Sequence, residues 1–340
     1  MLFRSEDKTG QILEEGINEA GAFSSWIAAA TSYSHSNQLM LPFYIFYSMF
    51  GLQRIGDLAW AAADQRARGF LLGATAGRTT LNGEGLQHED GHSHVRSSVI
   101  PNCVSYDPTY GYELAVIIQD GLRRMVTNQE DVYYYITLMN ENYEHPAMPE
   151  DPAVAAGILK GAYRLRASAA KAKHRVQLMG SGTILREVIA AAELLEKDWD
   201  IAADIWSAPS FTLLARDGQD AERWNLLNPT AKSPRVPFVT QALQSSEGPV
   251  IAATDYMRTY AEQIRAYMPA GRTYKVLGTD GFGRSDTRAK LREFFEVNRY
   301  FVTVAALKAL ADAGSINASV VAKAVEKYGI DPNKPNPVTQ

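Results

Sequence analysis

The sequence predicts an α/β protein of two domains, each a mostly parallel sheet flanked by helices. Three observations predict it. Short β-branched or aromatic runs alternate with longer helical patterns. A proline-punctuated stretch interrupts that alternation once. The length, 340 residues, suits two domains better than one or three.

In chain order, a helical pattern covers residues 11–31, and an aromatic strand follows at 40–47. A helix over 52–68 leads to a strand at 69–74, and a third strand lies at 102–106. A helix over 110–127 and a strand at 132–138 complete the first set. Each strand is bounded by Gly, Pro, Asp or Asn, the residues that stop regular pairing. Residues 143–157 carry Pro146, Pro149 and Pro152 among acidic residues and read as a linker. The expected boundary is therefore near residue 150, giving domains 1–150 and 151–340. The second set has strands at 176–180, 204–207, 250–254 and 274–278. Its helical patterns cover 185–197, 256–267 and 286–295, and two more close the chain at 302–313 and 318–328. The segment 228–237, with three prolines, reads as a surface loop.

Composition excludes several classes. Hydrophobic residues make up 46% and charged residues 21%, an ordinary globular balance. A net charge of −4 offers no basic field for nucleic acid or anionic lipid. Cys103 stands alone, so no internal disulfide forms, and a reducing cytoplasmic compartment is expected. Charge at residues 4–8 comes too early for a secretion signal. The most apolar run, residues 39–50, is too short to span a bilayer.

The first helical pattern contains an anomaly. At about 100° per residue, Glu19 falls near 340° when Ile12 is set at zero. That places it inside the apolar stripe, between Trp26 and Ile12. A carboxylate there needs a partner, a proton, or a cleft to face. One reading is a salt-bridged glutamate at a packing edge. The other is an acid whose apolar setting favours the neutral form, which suits acid/base work.

Residues 77–94 read GRTTLNGEGLQHEDGHSH. His88, His92 and His94 and three acidic residues crowd the stretch from Glu84, with glycines at 83, 85 and 91 that allow sharp turns. Three readings stay open: a polar loop, an imidazole metal site, or an active-site loop with one histidine working near neutral pH. The aromatic run PFYIFYSMFG at 42–51 reads as a core strand. Its end is less ordinary, because ligands of open parallel sheets sit beyond the C-terminal ends of strands. Tyr47 and Phe50 lie there, with Arg54 one turn into the next helix.

Together, QILEEGINEAGA (11–22), PFYIFYSMFG (42–51) and the 77–94 stretch resemble the homodimeric pyruvate dehydrogenase E1 of bacteria. So do YYYIT (133–137), LARDGQD (214–220) and GTDGFGRSD (278–286). The resemblance implies a pyrimidine-binding domain followed by a transketolase-like C-terminal domain. It implies thiamine diphosphate and Mg²⁺ as cofactors and pyruvate as substrate. Glu19 would hydrogen-bond N1′ of the cofactor's aminopyrimidine, Phe50 would stack on that ring, and Tyr47 would line the pocket. Arg54 would touch the cofactor, His88 would stand near the reacting substrate, and Glu84 would support it. His92 and His94 receive no role.

The family holds Mg²⁺ and the diphosphate with a Gly-Asp-Gly motif and a later Asn. The tripeptides at 119–121, 216–218 and 279–281 all fail to match it. The expectation is therefore half a site, inactive alone, completed by a second E1 chain or a diphosphate-domain subunit. A homodimer and a lipoyl-bearing E2 acetyltransferase are the implied partners. The competing expectations are a non-catalytic assembly fragment and an independent histidine metalloenzyme.

Overall fold

The structure, a computed structural model, describes residues 7–340. The reading of the charged N-terminus rests mostly on residues 1–6, which lie outside the described residues. The first sheet contains β1 (Phe43–Tyr47), β2 (Phe70–Ala74), β3 (Cys103–Tyr106) and β4 (Tyr133–Thr137). Its order is β1-β2-β4-β3, and all pairs are parallel. The second contains β5 (Tyr163–Arg166), β6 (His174–Gly180), β7 (Ile201–Ser207), β8 (Val250–Ala253) and β9 (Tyr274–Leu277). Its order is β5-β7-β6-β8-β9, parallel except for the antiparallel edge strand β5. The α/β class and the two mostly parallel sheets therefore hold.

The first core forms because β4 is apolar or aromatic on both faces and is buried throughout. Helix Glu19–Ala30 lays Phe23 and Trp26 against it, with Trp26 edge-on to Tyr133 at 5.6 Å between centroids. The Trp26 indole N–H is satisfied by the carbonyls of Pro42 (3.1 Å) and Phe70 (3.2 Å). Each such buried ring contributes about 2–3 kcal/mol of apolar burial.

That helix starts eight residues later than its sequence pattern suggests. Asn18 caps it, its side chain accepting from the Gly21 N–H at 3.0 Å. Gly16 takes φ +67°, a conformation foreign to a right-handed helix. Ile12, Leu13 and Ile17 are 78%, 72% and 99% exposed, so the apolar stripe drawn through them does not exist. The period was real, but these residues meet no surface that would reward a helix.

Helix Phe211–Leu227 is the longest described and was not anticipated, because its sequence is polar and carries a glycine. Ser210 caps it through the Leu213 N–H at 3.1 Å. Gly218 has a packing reason: a Cβ there would lie 2.4 Å from the Tyr267 ring. Gly218→Ala should therefore destabilise the protein by about 1–3 kcal/mol despite alanine's better helix propensity. Urea unfolding checks this; a stabilised variant would show that the ring moves aside freely.

The domains meet over a buried polar joint centred on Asp107. Its backbone N–H donates to Pro209 O (2.7 Å), and its carbonyl accepts from the Gly182 N–H (3.1 Å). Its carboxyl accepts from the hydroxyls of Thr137 and Ser181, both at 2.7 Å. Burial pushes that carboxyl up to about 7, against the lowering effect of Ser181 and Thr137. His94 lies alongside, its ring nitrogens 3.0 Å from Ser105 Oγ and Thr137 Oγ1 and its face stacked on Tyr260. Burial pushes His94 down to about 3, so it is neutral.

Candidate active site

β1 delivers Tyr47 to the C-terminal edge of the first sheet, and the Phe50 N–H closes the turn onto Tyr47 O at 3.0 Å. Helix Gly51–Asp64 begins at once. It can, because Gly51 leaves room for the Phe46 ring, which would lie 1.8 Å from a Cβ at that position. Arg54 follows one turn later. Its guanidinium lies over the Phe50 ring, 4.2 Å from the centroid, and its Nη1 meets Glu19 Oε1 at 3.0 Å. Glu19 is the first residue of its own helix, where a negative charge suits the helix dipole.

The loop at 77–92 brings the histidine. A short turn, Leu86–His88, places the His88 ring 5.3 Å from Tyr47 and 5.1 Å, edge-on, from Phe50. Glu84 Oε2 stands 3.6 Å from His88 Nδ1, near enough for attraction but too long for a hydrogen bond. His88 Nδ1 is buried without a hydrogen-bond partner in the protein.

All six residues singled out in the sequence therefore converge: Glu19, Tyr47, Phe50, Arg54, Glu84 and His88. Of the two readings of Glu19, the structure shows the salt-bridged one: it pairs with an arginine whose side chain is 52% exposed, and its own is 17% exposed. An ion pair this open contributes about 0–1 kcal/mol. The three histidines separate. His92 Nε2 turns to Gln53 Oε1 at 2.8 Å, and His94 is committed to the domain joint. Among the described residues no cluster of His, Cys, Asp and Glu is arranged to hold a metal ion.

Gln53, Arg78 and Glu89 were missed. Gln53 could have been found from its place between Phe50 and Arg54. Glu89 follows His88, yet its side chain is fully buried and neither carboxyl oxygen has a hydrogen-bond partner. Burial pushes it up to about 9; Asp255 adds to the rise and Arg78 opposes it.

A parallel four-stranded sheet followed by a five-stranded sheet with one antiparallel edge, and an aromatic–carboxyl–histidine cluster at a strand end, define a transketolase-like two-domain protein. A transketolase from Campylobacter jejuni superposes with a TM-score of 0.60 at 19% identity, over 85% of this chain and 38% of that one. A split-gene transketolase, described as an inactive β4 tetramer, gives 0.60 at 16% identity, over 87% of this chain and 83% of that one. Sequence is more specific. Residues 1–146 match the pyruvate dehydrogenase E1 component middle domain, and residues 161–298 match the transketolase-like C-terminal domain. The chain belongs to the pyruvate dehydrogenase E1 family. It is 66% identical to the E1 component of Cupriavidus necator over all of this chain and 60% identical to that of Escherichia coli K12 over 99% of it. It spans 37% of the length of each.

The cluster has what a flat, polar heterocycle needs: a ring face to stack on, a carboxyl, and polar neighbours. Phe50, Glu19 and the partnerless His88 Nδ1 supply these. Arg54 covers one face of Phe50 and engages Glu19, and its exposure makes it inexpensive to displace.

Proposed function

We propose that this chain supplies the pyrimidine-side wall of a thiamine-diphosphate site in a pyruvate dehydrogenase E1. The activity is decarboxylation of pyruvate with acetyl transfer to the lipoyl group of an E2 acetyltransferase. The observation that carries this reading is the convergence of Glu19, Tyr47, Phe50, Arg54 and His88 from three segments separated in sequence.

When bound, thiamine diphosphate supplies the electron sink that decarboxylating a 2-oxo acid needs. This chain's residues supply orientation and proton control. Glu19 would hydrogen-bond N1′ of the pyrimidine and share a proton with it. Phe50 and Tyr47 would flank the ring and shield it from water. His88, steered by Glu84, serves the reacting end, where its free Nδ1 donates or accepts.

Mg²⁺ and the diphosphate fall to residues other than the described ones. An assembly partner has surface to cover: Phe43 and Ile45 are exposed on edge strand β1, beside the half-exposed Tyr47. A homodimer in the cytoplasm is the arrangement we favour.

Mixing the chain with the diphosphate-binding half of the Cupriavidus necator E1 tests this. Pyruvate decarboxylation should appear only when both halves, thiamine diphosphate and Mg²⁺ are present. Two folded halves that associate yet neither bind the cofactor nor decarboxylate pyruvate would leave an assembly module as the better reading.

A further inference from the structure

The loop that carries Glu84 and His88 belongs to the first domain but is clasped along its length by the second. The Arg78 N–H donates to Asp255 O at 3.2 Å. The Thr79 N–H and hydroxyl donate to Asp255 Oδ1 at 2.9 and 2.6 Å, and the Thr80 hydroxyl donates to Oδ2 at 2.6 Å. Arg288 Nε donates to Thr80 O at 2.5 Å, the Gly83 N–H to Asp286 O at 3.0 Å, and the Met257 N–H to Gly91 O at 2.7 Å.

Arg78 ties this together. Its side chain is nearly fully buried. Nη1 donates to Thr279 O at 2.7 Å and also to Gly281 O, while Nε reaches Glu89 O at 3.4 Å. A planar fork is suited to holding several carbonyls at once; a lysine ammonium on a flexible stem is not. Gly91 lies flat on the guanidinium, since a Cβ there would fall 2.3 Å from Arg78 Cζ. On the other side of the turn, Gly283 of the second domain presses on the site loop. Its missing Cβ would fall 2.2 Å from Leu86 O and 2.7 Å from Glu89 Cβ. Gly283 therefore bears on Leu86 and Glu89, the residues that bracket the Gln87–His88 pair, and Arg78 holds Glu89 as well.

We propose that Arg78 is a positioning residue for the site, with Gly283 as its second point of contact. Through them the 279–283 turn of the C-terminal domain sets where His88 stands. This rests on the thiamine-diphosphate reading only for its catalytic consequence. Among the described residues no hydrogen bond, ion pair or ring contact joins a side chain of the second domain to the cluster. Its part is to be the template on which the catalytic loop is cast.

Gly283→Ala and Arg78→Lys test the proposal in this chain and in the completed enzyme. In the chain alone, amide hydrogen exchange across residues 84–92 should rise by about tenfold or more, with the sheets exchanging as before. The His88 ring NMR signals should shift, while those of His145, remote in the linker, stay in place. In the completed enzyme, kcat should fall by about 100-fold while KM for pyruvate changes little, because a small misplacement costs rate rather than binding. If Arg78→Lys fails to fold, Gly283→Ala decides alone. Unmoved His88 signals and unchanged loop exchange overturn the proposal, whatever the stability of the variants. A wild-type completed enzyme that does not decarboxylate pyruvate removes the thiamine reading, and the exchange and NMR results still decide the positioning.

Discussion

Glu19→Ala should lower the rate of pyruvate decarboxylation in the completed enzyme by about 100-fold or more, the contribution expected of a group that moves a proton in the rate-determining steps. Its effect on folding should be small. Glu19 stands at the first position of its helix, and its partner Arg54 is half exposed. Losing both the ion pair and the favourable dipole interaction costs about 1–2 kcal/mol at most. Activity and stability should therefore separate cleanly. Glu19→Gln sharpens the test, because it keeps the shape and a hydrogen bond while removing the acid. Steady-state rates beside urea unfolding curves read both effects. A Gln variant with near wild-type rate would show that the carboxyl only tethers Arg54, and the functional assignment would fall with it.

Asp107→Asn should change how stability depends on pH. The wild-type carboxyl is fully buried, and burial moves it from 3.8 to about 7. A folded value above the unfolded one means that the folded protein holds the proton more tightly. The stability it contributes is complete below about pH 4 and is lost as pH rises to about 7. The span is about 3 units, or about 4 kcal/mol at its full extent. Asparagine does not titrate. The unfolding free energy of the variant, relative to wild type, should therefore climb by up to that amount between pH 4 and pH 7 and then level off. Urea unfolding at a series of pH values measures it. Parallel curves would mean that the hydroxyls of Thr137, Ser181 and Tyr256 outweigh desolvation and keep the group ionised in both states.

Much of the fold could be read from the sequence, since parallel strands buried on both faces leave strong local marks. The run YYYIT became a fully buried central strand. What failed was decided by partners far away. Periodicity gave a helix across residues 11–18, but no packing surface meets Ile12, Leu13 and Ile17. The polar helix Phe211–Leu227 was invisible because its glycine and charges read as loop, and only the Tyr267 ring explains the glycine. β5 escaped notice because its alternating arginines lack the apolar continuity of the inner strands.

The site shows the same division. Tyr47, Phe50 and Arg54 follow from the rule that ligands gather beyond strand ends, and the structure brings them together. Glu19 was singled out by a helical stripe whose first part, Ile12, Leu13 and Ile17, is exposed and not helical; it reaches the cluster from the start of the helix that buries Phe23 and Trp26. Arg78, Glu89 and Asp107 act across the boundary between domains. Their partners come from residues 90 to 200 positions away in the chain, and no local pattern encodes such contacts.

The Arg54 side chain, lying across Phe50 with its charge against Glu19, acts as an internal placeholder. A flat heterocycle arriving at this wall competes with a cation already seated there, and the seat is held by forces that dissolved salt weakens. On the proposed function, ionic strength should act on the two ends of the cofactor in opposite senses, hindering capture of the phosphate tail and loosening the resident that covers the ring's seat.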